Sequence, residues 1–501
     1  MIKKVLVANR GEIALRIMRT CREMEIKTVA IYSTPDATSL HVMFADESVW
    51  VGEAASSESY LDIDKVINAA KKTGTDAIHP GYGFLSENGT FSNRCKDEGI
   101  IFIGPGAESI RLMGDKTAAR DLMGKAGVPC PPGTKDAMED VQVALKVARE
   151  VGFPVLVKAA AGGGGKGMRI VHNEEDFPGS VKAAQSEARN AFGDDRVYVE
   201  KYLEEPRHIE FQILADQEGN TVHLFDRECS IQRRHQKVIE EAPSALLDDD
   251  LRAEMADAAV RAAEACNYEG AGTIEFLVDK HKKFYFLEMN TRLQVEHPVT
   301  EMITGIDLVE AQIRVAAGEP LPFTQDDIEA SGHAVECRIY AEDPVDNFLP
   351  STGRLLRHRI PSGPGVRVDA GVEEGGEVTI SYDPMISKLS VHASTREKAI
   401  KKMIRALSEY QISGCKTTIP FCDFTMRHPS FANAEYDTHF VPDHFEPHKH
   451  DLFEEEGATD ALAVSLISAL SGEQGNNGSQ SAKEQNNVKH QHQTNWWKAR
   501  Q

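Results

Sequence analysis

The fold of this chain is decided by two stretches that lie far apart in the sequence, VLVKAAAGGGGKGMRIV at Val155–Val171 and FYFLEMNTRLQVEH at Phe284–His297. The first has the pattern of a strand, a glycine loop with a lysine on each side, and a second strand. The second places Glu288 and Asn290 on one strand face, with an arginine and a further glutamate beyond them. Phosphate-binding and metal-binding patterns in one chain indicate an ATP-dependent ligase.

The glycine loop has the chemistry of a phosphate site. Gly162–Gly165 carry no Cβ, so their backbone N–H groups can approach a phosphate closely, and Lys158 and Lys166 add positive charge. A Walker loop is excluded because Gly167 stands where that motif needs Ser or Thr. A dinucleotide-binding loop would open a helix, whereas Met168–Val171 predicts a strand. The loop is therefore either a phosphate site or a flexible surface hairpin.

The acidic residues of the second stretch belong to a predicted β-hairpin. Its strands are the aromatic-rich runs TIEFLVD and FYFLEMN, on either side of Lys280–Lys283. If the hairpin is symmetric about a centre between His281 and Lys282, Glu275 lies opposite Glu288. Carboxylates opposite each other on one face repel, and a cation between them removes the conflict. Two carboxylates and the nearby amide oxygen are hard ligands suited to Mg²⁺, although a solvated acidic strand face is the alternative.

Composition bounds the classes of protein that this chain can represent. A length of 501 residues predicts several domains, and no run of apolar residues is long enough for a membrane span. The first residues pass into a strand and a helix without the pattern of a targeting segment. A net charge of −22 argues against a nucleic-acid binder. The eight cysteines form no C-x-x-C pair, so neither a zinc site nor a disulfide framework is expected, and a cytoplasmic location fits best.

The alternation of strand and helix signals divides the chain. Residues 1–114 predict a doubly wound α/β unit, with strands and helices at Lys4–Ala8, Ile13–Met24, Lys27–Tyr32, Ser48–Val51, Ile63–Lys72, Ala77–His79 and Ile100–Ile103. Residues 115–330 mix hairpins with helices, one of which follows a capping cluster at Asp248–Asp250.

The remaining third of the chain has two parts. Residues 331–446 predict further strands and a helix, at His333–Tyr340, Gly353–Ile360, Ile386–Ala393 and Arg396–Glu409. Residues 447–501 predict a helix at Ala458–Leu470 and then a Gln/Asn/Ser-rich disordered segment at Gly472–Thr494. The fold class is therefore α/β and α+β, with a mixed third domain before the tail.

Two charged clusters have the composition of anion sites. The first lies in DRECSIQRRHQKVIEE and comprises Gln232, Arg233, Arg234, His235 and Lys237. In the second, Arg292 can hold an oxyanion bidentately and Glu296 can act as a base. On the residues alone, an exposed charged turn and a plain salt bridge remain the alternatives.

From Val5 to about His444 the chain closely resembles biotin carboxylase, an ATP-grasp enzyme. The matching stretches are VLVANRGEIALRI, HPGYGFLSEN, GDK, KAAAGGGGKGM, EKYLEEPRHIEFQ, RECSIQRRHQKVIEEAP, EMNTRLQVEHPVTE and AVECRIYAEDP. The resemblance implies an ATP-grasp fold behind an N-terminal α/β domain, with a lid at about residues 130–203. It also overrides the two alternatives left open for the charged clusters.

The resemblance assigns roles to individual residues. ATP contacts are implied for Lys116, Lys158, Gly164, Gly165, Glu200, Lys201, Leu203, His208, His235, Glu275 and Glu288. The Mg²⁺ or Mn²⁺ ligands implied are Glu275, Glu288 and Asn290. The bicarbonate site implied consists of Lys237, Arg292, Gln294, Val295 and Glu296. Glu296 is implied as the base, and Arg338 as the group that stabilises the enolate of biotin.

The chain also lacks two parts that the complete carboxylation reaction needs. The chain has no Met-Lys-Met segment of the kind that carries biotin, so biotin is expected on a separate carrier protein. A carboxyltransferase region is also lacking, so a separate carboxyltransferase subunit is expected. Relatives commonly pair, so the resemblance implies a homodimer of the core or a larger hetero-oligomer. The interpretations left open are the alpha-type subunit of an acetyl-CoA or propionyl-CoA carboxylase, the ATP-dependent component of a split pyruvate carboxylase, and an inactive scaffold paralogue.

The tail carries a separate hypothesis. Its polar segment ends at Asn495–Arg500 (NWWKAR), which holds two of the three tryptophans of the chain. Trp and Arg are favoured interface anchors, so the tail is either a docking arm for a partner subunit or a segment without that role.

Overall fold

The computed structural model describes residues 2–134, 137–159, 168–192, 195–234 and 236–446. Gly164, Gly165, His235, the helix predicted at Ala458–Leu470 and the docking hypothesis for the tail lie outside the described residues. No helix in the described part of the chain combines the length and apolarity that crossing a bilayer requires.

The first part of the chain is a doubly wound α/β unit, as predicted. Its parallel sheet has the order β3-β2-β1-β4-β5. The strands are β1 Lys4–Val7, β2 Lys27–Ser33, β3 Glu47–Gly52, β4 Ala77–His79 and β5 Ile101–Phe102. The helices are α1 Gly11–Glu23, α2 Leu40–Phe44, α3 Ile63–Thr73, α4 Gly89–Asp97 and α5 Ala107–Gly114. Each predicted element of this unit is confirmed to within a residue or two at its ends.

The described residues between 137 and 201 form a small antiparallel sheet and two helices, and one further helix precedes them. The strands β6 Val155–Ala159, β7 Met168–Val171 and β8 Val197–Lys201 have the order β7-β6-β8. The helices before and within it are α6 Lys116–Lys125, α7 Val141–Val151 and α8 Phe177–Phe192. The strand predicted after the glycine loop is confirmed as β7, which pairs with β6. A dinucleotide-type loop that opens a helix is therefore excluded.

The central part of the chain supplies five long strands and three helices. The strands are β9 Arg207–Ala215, β10 Thr221–Arg233, β11 Gln236–Ala242, β12 Gly270–Val278 and β13 Phe284–Asn290. The helices are α9 Asp249–Ala265, α10 His297–Thr304 and α11 Leu308–Ala316. α9 begins at the predicted acidic cluster, where the side chain of Asp248 accepts from the backbone N–H of Leu251. Its apolar face packs on β9 and β12 and forms one core with them.

The third part contains many short strands and one long helix. Its strands are β14 His333–Tyr340, β15 Glu342–Asp343, β16 Leu349–Pro350, β17 Gly353–Arg354, β18 Arg357–Arg359, β19 Val366–Ala370, β20 Glu377–Val378, β21 Met385–Ala393 and β22 Gln411–Ser413. Its helices are α12 Arg396–Glu409, α13 Ile419–Arg427, α14 Pro429–Ala432 and α15 Phe440–His444. Three-residue 3-10 turns lie at Thr34–Asp36, Ser56–Glu58 and Gln325–Asp327.

One strand prediction in this part is wrong. The sequence pattern predicts a single strand at Gly353–Ile360, but this segment is split into β17 and β18. β17 pairs with β20, whereas β18 pairs with β22. The two halves join different partners, and the chain turns at Leu355 and Leu356, of which the first is buried and the second is 70% exposed. Local β-propensity does not reveal such a change of partner.

The site is built on an eight-stranded sheet of order β13-β12-β9-β10-β11-β14-β21-β19. This sheet runs across the domain boundary predicted near residue 330, because β11 pairs antiparallel with β14. Side chains from the central and third parts therefore share one sheet face.

Candidate active site

The β12–β13 hairpin places Glu275 opposite Glu288, as predicted. The assumption that led to this pairing was wrong, because the hairpin is not symmetric. Val278 pairs with Phe284, so the turn centres on one residue, and a β-bulge between Glu275 and Phe276 in the register then shifts the pairing by one. The shift brings the two carboxylates opposite each other.

A third carboxylate extends this pair into a row across the sheet. Glu210 on β9 lies opposite Glu275, and Arg227 on β10 lies opposite Glu210. Arg227 is fully buried and its Nε donates to Glu210 Oε1 at 2.6 Å. The arginine thus neutralises one end of the row, whereas its other end, at Glu288, is exposed.

The charges in this row oppose one another. Burial alone would raise the pKa of Glu275, but Lys237 and His208 hold that pKa well below its ordinary value. Partial loss of contact with water, followed by the charge of Glu275, raises the pKa of Glu288 even though part of its surface stays exposed. Asn290 donates to Glu275 Oε1 at 2.7 Å. Two carboxylates in conflict beside an amide are a donor set that fits Mg²⁺, since a divalent cation would relieve the repulsion.

Lys237 connects the acidic row to the second charged cluster. Its Nζ donates to Glu210 at 2.5 Å, to Glu275 at 2.7 Å and to Glu296 at 2.7 Å. Burial would lower the pKa of this lysine, but the three carboxylates raise it well above its ordinary value. Lys237 therefore stays positively charged, and it lies between the acidic row and Glu296.

Arg338 lies on β14, the strand next to β11, and its side chain contacts Glu296. Its Nη2 donates to Glu296 Oε2 at 2.9 Å, and its Nε donates to Glu240 Oε1 at 2.6 Å. Burial opposes ionisation of Glu296, but Lys237 and Arg338 outweigh it and hold the pKa of Glu296 far below its ordinary value. Glu296 is thus a carboxylate able to accept a proton once a substrate displaces one of its cationic partners.

Arg292 lies in the segment between β13 and α10. Among the described residues, its guanidinium donates to three side chains and to the backbone carbonyl of Leu293. Its Nε donates to Glu87 at 2.9 Å, its Nη1 to Gln294 Oε1 at 3.2 Å and its Nη2 to Asn290 Oδ1 at 3.3 Å. The amide nitrogen of Gln294 is buried and has no hydrogen-bond partner among the described residues. A buried N–H donor without a partner is costly, so an anion bound beside Arg292 would be stabilised by it.

The residues implied as nucleotide contacts form a second group around β8. Lys158 Nζ donates to Glu200 Oε2 at 2.5 Å, and Arg120 makes an ion pair with the other oxygen of Glu200. Burial would raise the pKa of Glu200, but these two cations lower it. The side chain of Lys201 donates to the carbonyls of Gly152 and Phe153, at 3.0 and 3.1 Å, and therefore tethers β8 to the loop before β6.

Three further residues of this group have separate surroundings. Leu203 is buried. Lys116 is the first residue of α6, and its charge opposes the rise in the pKa of Glu288 without cancelling it. His208 Nε2 lies 2.9 Å from Glu275 Oε2, so this histidine borders the acidic row.

Sequence reasoning missed several residues of the site. Glu210, Glu240 and Glu87 each contact a candidate site residue through a charged group, and Arg227 contacts Glu210. A signal was present for Glu210, because His208, Glu210 and Gln212 alternate along β9 and so share one face. No comparable signal marks Glu87 or Glu240, whose partners lie far away in the sequence.

Comparison with protein-family models gives three matches that follow one another along the chain. The model described as "Biotin carboxylase, N-terminal domain" matches residues 1–110. The model described as "Carbamoyl-phosphate synthase L chain, ATP binding domain" matches residues 115–324. The model described as "Biotin carboxylase C-terminal domain" matches residues 336–443.

Curated relatives are identical to this chain at about half of the aligned positions. A pyruvate carboxylase subunit of Methanothermobacter thermautotrophicus is 55% identical over 89% of this chain and 90% of its own length. Biotin carboxylase of Nostoc sp. is 55% identical over 87% of this chain and 98% of its own length. Propionyl-CoA carboxylase alpha chain of Ruegeria pomeroyi is 50% identical over 89% of this chain and 68% of its own length.

Solved structures agree with the fold. A biotin carboxylase–β,γ-ATP complex from Campylobacter jejuni superposes with a TM-score of 0.84 at 51% identity, covering 89% of this chain and 99% of that one. The biotin carboxylase domain dimer of Hydrogenobacter thermophilus 2-oxoglutarate carboxylase, in complex with MgADP, ADP and bicarbonate, superposes with a TM-score of 0.82 at 48% identity, covering 89% of this chain and 98% of that one.

Proposed function

The chain belongs to the biotin carboxylase family, whose members are ATP-dependent ligases, and from this membership we propose that it carboxylates the biotin of a separate carrier protein with bicarbonate and ATP. One observation carries the proposal: Lys237 bonds Glu275 of the acidic row and Glu296 at the same time. A single lysine thereby connects the site proposed for a metal-bound phosphate with the residue proposed as the base.

In this proposal the bicarbonate anion lies beside Arg292, Gln294 and Lys237. Arg292 offers a bidentate guanidinium, and the unpartnered amide nitrogen of Gln294 offers a buried donor. Glu296 takes the proton of bicarbonate, and the carbonate oxygen attacks the γ-phosphorus while the bond to ADP breaks. The product, carboxyphosphate, carries charge that the cationic side chains are placed to offset.

The second half of the reaction belongs to the Arg338 side of the site. The C–O bond of carboxyphosphate breaks to give CO₂ and phosphate, the phosphate takes the N1 proton of biotin, and N1 bonds to the carbon of CO₂. Arg338 stabilises the enolate form of the biotin ring. Its two carboxylate partners, Glu240 and Glu296, orient the guanidinium for that role.

Glu275, Glu288 and Asn290 would hold the Mg²⁺ or Mn²⁺ ion. When bound, the ion supplies charge stabilisation on the phosphate oxygens of ATP. The side chains of this chain then have the tasks of orienting the nucleotide and excluding water. The lid proposed at about residues 130–203 includes the Lys158–Glu200 pair.

For the final carboxyl acceptor, we propose an acyl-CoA, with this chain as the alpha-type subunit of an acetyl-CoA or propionyl-CoA carboxylase that works with a carrier protein and a carboxyltransferase subunit. The similarity to a propionyl-CoA carboxylase alpha chain supports this assignment. The similarity to a pyruvate carboxylase subunit favours pyruvate as the second candidate. We also propose that the core pairs into a homodimer and that the enzyme is cytoplasmic.

The core activity is tested by ATP cleavage in the presence of Mg²⁺ and free biotin. We expect cleavage to depend on bicarbonate, and an absence of bicarbonate-dependent turnover would favour an inactive scaffold instead. The acceptor is tested with labelled bicarbonate after co-purification of the carrier and carboxyltransferase chains. Label in an acyl-CoA supports the first assignment, whereas label transferred only to pyruvate, as oxaloacetate, supports the second.

A further inference from the structure

A buried lysine outside the residues assigned above contacts the candidate site from the third part of the chain. Lys388 lies on β21 and its side chain is fully enclosed. Its Nζ donates to the backbone carbonyl of Val295 at 2.9 Å. Val295 directly precedes Glu296 and belongs to the segment that connects β13 to α10.

The charge of Lys388 is matched by acidic groups from two other elements. Glu12 Oε2 on α1 lies 3.3 Å from Nζ, and Asp369 Oδ2 on β19 lies 4.0 Å away. A buried ammonium without such partners would be strongly destabilising. Asp369 also accepts two hydrogen bonds from Arg367, so it keeps a cationic partner of its own. Of these two carboxylates, Glu12 is therefore the one that depends more on Lys388.

The other end of the same segment is also held by a charged group. Glu87 accepts hydrogen bonds from the backbone N–H of Thr291 at 3.1 Å and from Arg292 Nε at 2.9 Å. The loop that carries Glu87 also carries Tyr82, whose hydroxyl donates to Glu12. The segment from residue 291 to residue 296 is thus fixed at its start by Glu87 and near its end by Lys388.

We propose that Lys388 is a positioning residue of the bicarbonate site, holding the Val295 carbonyl so that the backbone of Val295 and the carboxylate of Glu296 face the anion. This inference rests on the function proposed above. Lys388 touches no reacting atom and acts through the backbone. A displacement of about 1 Å at the reacting groups is sufficient to lower turnover by about two orders of magnitude.

The test replaces Lys388 by methionine, which preserves much of the side-chain volume and removes the donor and the charge. Because the change leaves Glu12 without its cation, a second variant combines Lys388→Met with Glu12→Gln. Lys402→Met is the matched control. Lys402 also donates to backbone carbonyls, of Pro364 and His392, at 2.9 and 2.6 Å, but these lie away from the site.

Steady-state kinetics with free biotin separates positioning from folding. The Lys388→Met and double variants are expected to raise the KM for bicarbonate about tenfold or more. The KM for ATP and the affinity for MgADP are expected to stay within about twofold, because the described partners of Lys388 include no residue implied in nucleotide binding. Lys402→Met is expected to lower the melting temperature and leave the bicarbonate KM unchanged.

An unchanged bicarbonate KM in a folded variant, or an equal rise in the KM values of bicarbonate and ATP, would overturn the proposal. Loss of the folded state in both Lys388 variants would assign the lysine to folding alone and overturn it as well. The wild-type protein is measured in the same series. If its own ATP cleavage does not depend on bicarbonate, the proposed function fails, and this inference fails with it.

Discussion

At the scale of single residues, the site is a group of buried charges that are not individually stable. Glu210, Glu275 and Glu296 share Lys237, so removing this lysine would leave three buried carboxylates without their common cation. Burial raises the pKa of Glu240 to about 8, even though Arg338 opposes the shift. Strongly shifted pKa values of buried groups are typical of sites where protons or charged substrates are handled.

Arg338 is expected to serve biotin and not ATP, because its contacts are with Glu240 and Glu296. We predict that Arg338→Gln abolishes carboxylation of free biotin while the affinity for MgADP, measured by calorimetry, stays near that of the wild type. Arg396→Gln is the control, since Arg396 donates at 2.7 Å to the buried Glu241, whose other partners lie outside the site. A parallel fall of nucleotide affinity and carboxylation would contradict the assignment.

Glu336 gives a prediction for the dependence of stability on pH. Burial raises the pKa of this carboxyl to about 7, although Lys388 and Ser390 oppose the shift. A carboxyl whose folded pKa is raised contributes stability below its unfolded pKa, near 4.5, that is lost as pH rises through 7. Glu336→Gln cannot ionise, so at pH 8.5 it is expected to be more stable than the wild type, by up to about 3 kcal/mol.

Thermal unfolding at pH 5 and pH 8.5 checks this prediction. At pH 5 the carboxyl of the folded wild type is protonated, and only the unfolded state is ionised. The difference between the two melting temperatures is therefore expected to be much smaller than at pH 8.5, which makes the low-pH measurement the control. A wild type that is the more stable protein at pH 8.5 would show that Glu336 is stabilised as a carboxylate.

At the scale of elements, neighbouring residues largely determine where strands and helices begin and end, how adjacent strands pair and how helices are capped. β14 and α12 have the bounds predicted from the sequence, because alternation and helical periodicity are properties of neighbouring residues. The β12–β13 hairpin achieves the predicted pairing of Glu275 with Glu288 through a bulge that the pattern did not indicate. The split of the segment predicted as one strand at Gly353–Ile360 depends instead on which strands lie beside it.

The helix α7 provides a test of local stability in the proposed lid. The side chain of Asp140 accepts from the backbone N–H groups of Gln142 and Val143, at 2.7 and 3.2 Å. Asp140→Ala removes this cap and is expected to cost about 1 kcal/mol, which makes hydrogen exchange of α7 amides about fivefold faster. Glu139→Ala, next to it, is the control and is expected to leave exchange unchanged. Equal exchange in all three proteins would show that the cap does not limit opening of the helix.

At the scale of the whole molecule, one continuous sheet brings the central and third parts of the chain to a single site. β9, β10, β11, β12 and β13 carry the acidic row and Lys237, β14 carries Arg338, and β21 carries Lys388. The N-terminal unit adds Glu12 and Glu87 from its helix and loop. Ligands bound at this junction are therefore expected to stabilise the entire fold.

MgADP is expected to raise the melting temperature of the wild type, because a ligand that binds only the folded state adds about 2.7 kcal/mol at about a hundred times its Kd. Glu288→Gln removes one carboxylate of the proposed metal pair. We expect this variant to melt near the wild type without nucleotide, to show a smaller rise with MgADP, and to lose ATP turnover by orders of magnitude. Glu397→Gln, in an exposed pair with Lys401, is the control. An equal rise and full turnover in Glu288→Gln would rule out the metal site.

The sequence by itself determined the class of fold, most element bounds and several of the residues that bear charge at the site, among them Glu275, Glu288 and Lys237. These follow from periodicities and from motifs such as EMNTRLQVEH, which are local. Only the tertiary structure decided which charges meet. The bonds from Lys237 to Glu275, from Arg338 to Glu240 and from Lys388 to Val295 join residues that are 38, 98 and 93 positions apart. The strand order β13-β12-β9-β10-β11-β14-β21-β19 does not follow the chain, so these neighbours exist only once the sheet is assembled.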